Sequence, residues 1–266
     1  MRDRYAVIGD PVAHSKSPWI HAEFARATGQ AIEYVAIEAP REGFARTVAA
    51  FRAAGGRGAN VTLPFKEEAF ALCTARSARA FAARAVNTLR FDGETEIFGD
   101  NTDGVGLVID LEKNLGFAIA GKRVLIAGAG GAAQGVAGPL VAAGAALAIA
   151  NRSAERARAL AERFPPARGG GYDAFAGERF DLVVNATSAG LSGEMPPLPE
   201  GVFAPGVLAY EMVYGRDTPF LAAARAAGAR TADGLGMLVE QAAESFFIWR
   251  GVRPPTAAVL AALRAG

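Results

Sequence analysis

Short apolar runs alternate along this chain with longer stretches in which apolar positions recur every three or four residues, the periods of buried strands and amphipathic helices. Residues 4–9, 32–37 and 58–62 read as strands, and 18–28, 42–53 and 65–73 as helices. Strands separated by helices imply a parallel sheet. Segments 86–91 and 94–98 flank Asp92-Gly93, a two-residue hairpin signal, and are expected to add an antiparallel edge. A helix is expected over 103–115, capped by Thr102 or Asp103, with Val105, Val108, Ile109 and Leu111 on its apolar side. Residues 124–150 then carry no charge at all. Such a length could span a membrane, but it is mostly Ala and Gly and contains Gln134 and Pro139. A strand, a turn, a helix over 132–143 and a strand over 146–150 explain it better, because strands of a parallel sheet are buried on both faces. A helix over 154–164, strands at 182–185 and 207–210, a Gly- and Pro-rich loop over 188–205 and closing helices at 234–249 and 255–264 complete the reading.

Composition narrows the partners. The chain has 266 residues, enough for two domains, and 51% apolar residues, enough for a sizeable core. A formal charge of +1 gives no reason to expect nucleic acid. The one cysteine, Cys73, cannot form an internal disulfide, which suits a reducing cytoplasmic setting. With His14, His21 and Cys73 as the only such ligands, no common metal site is expected. The apolar run at the start is shorter than a secretory signal needs, and no membrane association is expected.

The segment Val124-Leu125-Ile126-Ala127-Gly128-Ala129-Gly130-Gly131-Ala132 runs a buried strand into Gly-x-Gly-x-x-Ala and then into a helix. Glycines there let the backbone approach a pyrophosphate, and the helix aims its free N–H groups at the charge. The strand-before, helix-after context favours a dinucleotide cradle over a plain structural turn. An NAD-specific site carries an acidic residue about 20 residues on. This chain has Asn151-Arg152-Ser153 there, with Arg156 a turn later. Two guanidinium groups suit the 2′-phosphate of NADP.

Only Lys16, Lys66, Lys113 and Lys122 are lysines among 28 basic residues. Lysine can release its proton and arginine cannot. Lys66 follows the end of a strand, where ligands gather in open α/β sheets. It also neighbours Glu67 and Glu68, as a solvated helix lysine would, and position alone leaves both readings standing. Asp103 reads by itself as a helix cap. Ser17-Pro18 has a sufficient structural role as a cap and a first-turn proline. Ser15 has none, and its hydroxyl suits a carboxylate ligand.

Taken together, Ser15-Lys16-Ser17-Pro18, Asn60-Val61-Thr62-Leu63-Pro64-Phe65-Lys66, Val86-Asn87-Thr88, Asn101-Thr102-Asp103-Gly104, the glycine turn, Asn185-Ala186-Thr187-Ser188 and Asp233-Gly234-Leu235-Gly236-Met237 resemble the shikimate dehydrogenase family in content and order. The resemblance covers almost the whole chain. It implies an α/β protein: a three-layer α/β/α substrate domain (1–102, completed by 237–266) and a Rossmann-type NADP domain (103–236), separated by a cleft. It implies reversible reduction of 3-dehydroshikimate to shikimate. By the same resemblance Ser15 and Ser17 would hold the substrate carboxylate. Thr62, Asn87, Tyr214 and Gln241 would bind ring hydroxyls or the carboxylate, and Lys66 and Asp103 would flank the reacting hydroxyl. Gly128, Ala129, Gly130, Gly131, Ala132, Asn151, Arg152, Arg156 and Thr187 would bind NADP, and Met212 and Gly234 would line the nicotinamide.

Two positions depart from the family. Tyr210-Glu211 stands where Tyr-Asp is common, and Ala78 where an acidic residue is common. The rival readings are an NAD-using quinate/shikimate dehydrogenase, against which Arg152 and Arg156 argue, and a dinucleotide-binding regulator without turnover. A methylene-tetrahydrofolate dehydrogenase has a similar layout but leans on a Tyr-x-x-x-Lys pair, which this chain lacks. Monomer and homodimer both stay open, since no heptad or charged seam marks an interface.

Overall fold

The computed structural model describes residues 2–93 and 95–265. Its chain divides into two compact units, Met1–Gly106 with Leu238–Gly266, and Leu107–Met237. No helix among the described residues is long and apolar enough to cross a membrane.

The first unit is built on β1 (Asp3–Gly9), β2 (Ile32–Glu38), β3 (Gly56–Val61), β4 (Ala75–Arg76), β5 (Thr88–Asp92) and β6 (Glu96–Asp100), in the order β2-β1-β3-β5-β6-β4. Alternation along β1 divides its side chains between the faces. Ala6 and Ile8 join a core of Phe44, Val48, Phe51, Phe65 and Leu89, in which the Phe44 and Phe65 rings stack with centroids 4.9 Å apart. Tyr5 turns the other way and stacks on Trp249 of the long helix Leu235–Arg250. Helices therefore cover both faces. The hairpin forms, but β5 lies inside the sheet and runs against β3 and β6, while the outer position goes to β4, which is parallel to β6. The expected antiparallel edge is thus an interior antiparallel strand. Glu94, where the second hairpin strand is expected to begin, lies outside the described residues.

The second unit carries β7 (Arg123–Ala127), β8 (Ala146–Ala150), β9 (Arg168–Gly170), β10 (Leu182–Asn185), β11 (Leu208–Glu211) and β12 (Arg230–Asp233), all parallel, in the order β12-β11-β10-β7-β8-β9. Renumbered from β7 as first, this is the 3-2-1-4-5-6 order of a dinucleotide-binding sheet. Val124 and Ile126 enter one core and Leu125 and Ala127 the other, so the uncharged stretch opens with a strand buried on both faces. The chain order reverses between β7 and β10, and ligands bind beyond the carboxyl ends at such a reversal.

The helix Asp103–Ile109 passes into a wider π turn, Asp110–Asn114, rather than staying α-helical to 115. Asp110 is buried there, accepting from Asn114 Nδ2 at 2.9 Å and from the Tyr210 hydroxyl at 2.7 Å.

Candidate functional site

In the first unit the antiparallel turn of β5 gathers residues far apart in sequence. Asn60 of β3 pairs with Thr88 of β5, and Thr88 pairs with Asp100 of β6. The end of β3, the start of β5 and the end of β6 therefore lie side by side. Lys66 opens the helix that follows β3, Asn87 precedes β5, and Asp103 opens the helix that follows β6. Lys66 Nζ meets Asp103 Oδ2 at 2.6 Å, with side chains 15% and 7% exposed. Asn87 Nδ2 donates to the other carboxylate oxygen at 2.8 Å. The Asp103 carboxylate is thus engaged with Lys66 and Asn87. The capping oxygen belongs instead to Asn101, whose Oδ1 accepts from the Asp103 N–H at 3.2 Å.

A buried polar network extends from this pair. Asn87 Oδ1 accepts from the Thr102 N–H at 2.8 Å. Gln241 Oε1 lies 3.3 Å from both Asn87 Nδ2 and Thr102 Oγ1, while its Nε2 donates to the Leu238 carbonyl. Ser245 Oγ lies 2.8 Å from Thr88 Oγ1 and accepts from Asn60 Nδ2 at 2.9 Å. Asn60 Oδ1 in turn accepts from the Tyr34 hydroxyl at 2.8 Å. Asn60, Thr102 and Ser245 were not singled out from the sequence as site residues. The readable signal was Gln241 and Ser245, polar and four apart on one face of an apolar helix.

Ser15 and Thr62 leave the carboxyl ends of the neighbouring strands β1 and β3 and are half-buried. Ser17 is buried and opens the helix Ser17–Thr28, but its side chain makes no cap. Its N–H donates to Ser15 Oγ at 3.2 Å. The capping role read for Ser17 is therefore absent, because the helix starts one residue earlier than a serine cap requires. His21, one turn on, is fully buried, with its ring stacked 4.2 Å from Tyr34, and burial lowers its pKa to about 3.

In the second unit, Gly128 has φ +112°, the left-handed region that favours glycine, and a Cβ there would lie 3.0 Å from the Ala186 carbonyl oxygen. Ala129 is buried. Gly130 precedes the helix Gly131–Ala142, no side chain among the described residues caps that helix, and a Cβ on Gly130 would meet nothing within 4 Å. The half-buried Gly130 turn and the first-turn amides of Gly131 and Ala132 would suit a diphosphate. Beyond β8, Asn151 and Arg152 line a recess of about 470 Å³ with Tyr172, Asp173 and Leu198. Arg156 is exposed and outside that lining, and its N–H is held by Ser153 Oγ at 3.3 Å. The recess lining from 171–173 and 197–199 carries no phosphate-binding motif and was not anticipated.

Thr187 follows β10, and its hydroxyl donates to Asn185 Oδ1 at 2.7 Å. Met212 and Tyr214 lie in the loop after β11, and Gly234 follows β12, where a Cβ would stand only 2.2 Å from the Met212 carbonyl oxygen. Among the described residues no group of His, Cys, Asp and Glu is arranged to hold a metal ion.

Comparison with known proteins agrees along the chain. The description "Shikimate dehydrogenase substrate binding domain" matches residues 7–89, "Shikimate / quinate 5-dehydrogenase" matches 110–190, and "Shikimate 5'-dehydrogenase C-terminal domain" matches 234–264. A protein of Dechloromonas aromatica named shikimate dehydrogenase (NADP(+)) is 61% identical over 271 residues, covering 100% of this chain and 98% of the relative. Among solved structures, an Ael1 enzyme from Pseudomonas putida aligns with a TM-score of 0.91 at 50% identity, covering 98% of each chain. Shikimate 5-dehydrogenase from Thermus thermophilus, in complex with NADP(H) and shikimate, aligns with a TM-score of 0.88 at 38% identity, covering 99% of each chain. Sequence, fold and the spacing of the buried polar groups lead to one assignment: this chain belongs to the shikimate dehydrogenase family.

Proposed function

We propose that the chain is an NADP-dependent shikimate dehydrogenase that reversibly reduces 3-dehydroshikimate to shikimate, a step towards the aromatic amino acids. The observation that carries this reading is the 2.6 Å Lys66–Asp103 ion pair, with Asn87 fixing the second carboxylate oxygen. An amine and a carboxylate held in a buried polar network match the need to move one proton while a carbonyl becomes an alcohol. The printed name of the Dechloromonas relative and the NADP(H)–shikimate complex of the Thermus enzyme support the same substrate and cofactor.

In this reading Ser15 and Ser17 offer hydroxyls to the substrate carboxylate, and Thr62, Asn87, Tyr214 and Gln241 take the carboxylate or ring hydroxyls. The ammonium of Lys66 carries three N–H donors. Asp103 takes one, and another can donate to the carbonyl oxygen, polarise it and deliver the proton that completes the alcohol. In oxidation the neutral amine accepts that proton back, while Asp103 and Asn87 hold its position. Bound NADPH supplies the hydride. Gly128, Ala129, Gly130, Gly131 and Ala132 cradle the cofactor's diphosphate. Asn151, Arg152 and Arg156 take the adenosine 2′-phosphate end, and Thr187, Met212 and Gly234 take the nicotinamide end.

Purified protein is expected to oxidise NADPH with 3-dehydroshikimate and to do so far more slowly with 3-dehydroquinate. Folded protein that consumes no NADPH with 3-dehydroshikimate would end this reading, and faster turnover with NADH would move it to an NAD-using quinate/shikimate enzyme. Cytoplasmic residence belongs to the same proposal and is checked by fractionation. A homodimer is checked by sedimentation.

A further inference from the structure

Glu211 is a carboxylate with no accessible surface and, among the described residues, no cationic partner. Its Oε2 accepts from Asn185 Nδ2 at 2.7 Å and from the Thr218 hydroxyl at 3.0 Å, and its Oε1 accepts from the Val213 N–H at 3.1 Å. Every one of these partners donates, which is the pattern an ionised, acceptor-only carboxylate requires. The partners lie on separate segments. Asn185 ends β10, and its Oδ1 also accepts from the N–H and hydroxyl of Thr187 at 3.1 and 2.7 Å. Val213 lies in the loop after β11, beside Met212, whose N–H donates to the Asn185 carbonyl at 3.1 Å. Thr218 caps the helix Pro219–Ala226 through Leu221. Gly190 leaves the space: a Cβ there would stand 3.2 Å from Glu211 Oε2 and 3.1 Å from the Thr218 methyl group. Burial pushes the Glu211 carboxyl above its usual range, and the donors oppose that shift.

We propose that Glu211 is a positioning residue for the cofactor, a buried clasp that sets the segments leaving the carboxyl ends of β10 and β11 in one fixed arrangement. The carboxyl ends of such a sheet are where a dinucleotide is held, and Thr187 and Met212 are the residues the clasp places there. Glu211 itself touches neither cofactor nor substrate in this account. An aspartate arm, one methylene shorter, would need Asn185, Val213 and Thr218 to draw closer before it could reach all three.

The inference rests on NADP being the cofactor, and the test keeps the two apart. NADPH binding is measured by fluorescence titration, and amide hydrogen exchange is measured on the cofactor-free protein, for wild type, Glu211→Ala, Glu211→Gln and Glu211→Asp. Wild type that fails to bind NADPH refutes the functional reading itself. Glu211→Ala is expected to weaken NADPH binding about tenfold, the size of effect when buried donors lose their acceptor. Exchange at the Thr187 and Val213 amides is expected to quicken, and affinity for 3-dehydroshikimate, which meets this loop only through Tyr214, is expected to fall less than affinity for NADPH. Glu211→Gln keeps the shape but turns an N–H₂ towards donors, so it is expected to follow the alanine variant, and it decides the matter should the alanine variant not fold. Glu211→Asp restores a carboxylate and is expected to recover part of the affinity. NADPH binding and amide exchange equal to wild type in folded Glu211→Gln would overturn the proposal, as would equal loss of affinity for NADPH and for 3-dehydroshikimate.

Discussion

Lys66 and Asp103 in the first unit are largely shut away from water, and their neighbours Asn87, Thr102 and Gln241 are buried and hydrogen-bonded. Arg152 and Arg156 in the second unit stand exposed, and the fixed groups of this unit's proposed cofactor path are the Gly128 backbone turn and the Ser153 hydroxyl that caps the helix after β8. Under the proposed function the contrast follows from two tasks. A group that moves a proton must keep its orientation through the reaction, and low dielectric with fixed partners provides that. A group that grips a phosphate needs only charge and a fork of donors, which a guanidinium keeps in full contact with water. In the first unit the proposed reacting groups are enclosed side chains, and in the second the proposed phosphate contacts are a backbone turn and exposed arginines. Substitutions in the two should therefore fail in different ways.

The largest effect is expected where the first unit is most committed. Lys66→Ala removes the proposed proton donor and should lower kcat about 10²-fold or more, with KM for NADPH nearly unchanged. A variant with near-normal kcat would remove Lys66 from the chemistry and, with it, the distinction drawn between the units.

Acid should separate them next. His21 titrates at about 3 in the folded protein because burial disfavours its cation, against an ordinary value near 6.5. The unfolded chain therefore binds the extra proton at every pH between those values. Stability is fully present above about 6.5 and falls as pH drops below it, by ~2 kcal/mol between neutrality and pH 5. Glu211 in the second unit works in the opposite sense: burial raises its folded pKa, so acid relieves a penalty there. Thermal unfolding at pH 7 and pH 5, with hydrogen exchange to locate the opening, is expected to show the first unit loosening first. His21→Phe keeps a ring against Tyr34 and should flatten the slope. An unchanged slope would mean that other groups set the acid response.

Much of this contrast was legible in the sequence, though unevenly. Strands β8 and β10 lie where the apolar runs 146–150 and 182–185 placed them, because a strand buried on both faces shows an unbroken apolar signal. The outer strands β9 and β12 were missed: Arg168-Gly169-Gly170 and Arg230-Thr231-Ala232-Asp233 lack that signal, since a sheet edge is only partly covered. The helix Pro219–Ala226 was also missed, although Thr218-Pro219 is a readable start. In the site, local pattern gave each residue's neighbourhood, and the pairing of Lys66 with Asp103 came only from the family resemblance. Asp103 read alone as a cap because capping is a local pattern. Its engagement with Lys66, 37 residues away, depends on β5 running antiparallel inside the sheet, which no periodicity encodes.

The glycine turn offers a cleaner break, because folding and binding can be pulled apart there. Gly130 has φ −86°, which any residue adopts, and a Cβ on it would meet no protein atom within 4 Å. Gly130→Ala should leave the melting temperature within about a degree while weakening NADPH binding about tenfold, since the methyl group fills space the diphosphate needs. Gly128→Ala should lower both, because φ +112° and the close Ala186 carbonyl strain the folded chain before any ligand arrives. Equal NADPH affinity in Gly130→Ala and wild type would show that the diphosphate does not pass that position.

The smallest effect expected, and the sharpest test of the exposed side of the comparison, is on cofactor choice. Arg152 lines the recess beyond β8, so Arg152→Ala should raise KM for NADPH about fivefold, a charge-assisted contact weakened by its exposure to water. KM for NADH should not move, because NADH has no 2′-phosphate to lose. Arg156→Ala should do less, since Arg156 is outside that lining. Salt separates the two units without any mutation: raising ionic strength screens an exposed guanidinium and should erode the preference for NADPH over NADH. Turnover, if it depends on the enclosed Lys66–Asp103 pair as proposed, should change far less, because ions cannot enter between charges held 2.6 Å apart and largely out of solvent. If salt lowered kcat as steeply as it weakened NADPH binding, the ion pair would have to be open to solvent during turnover, and burial could not be what distinguishes the first unit's chemistry.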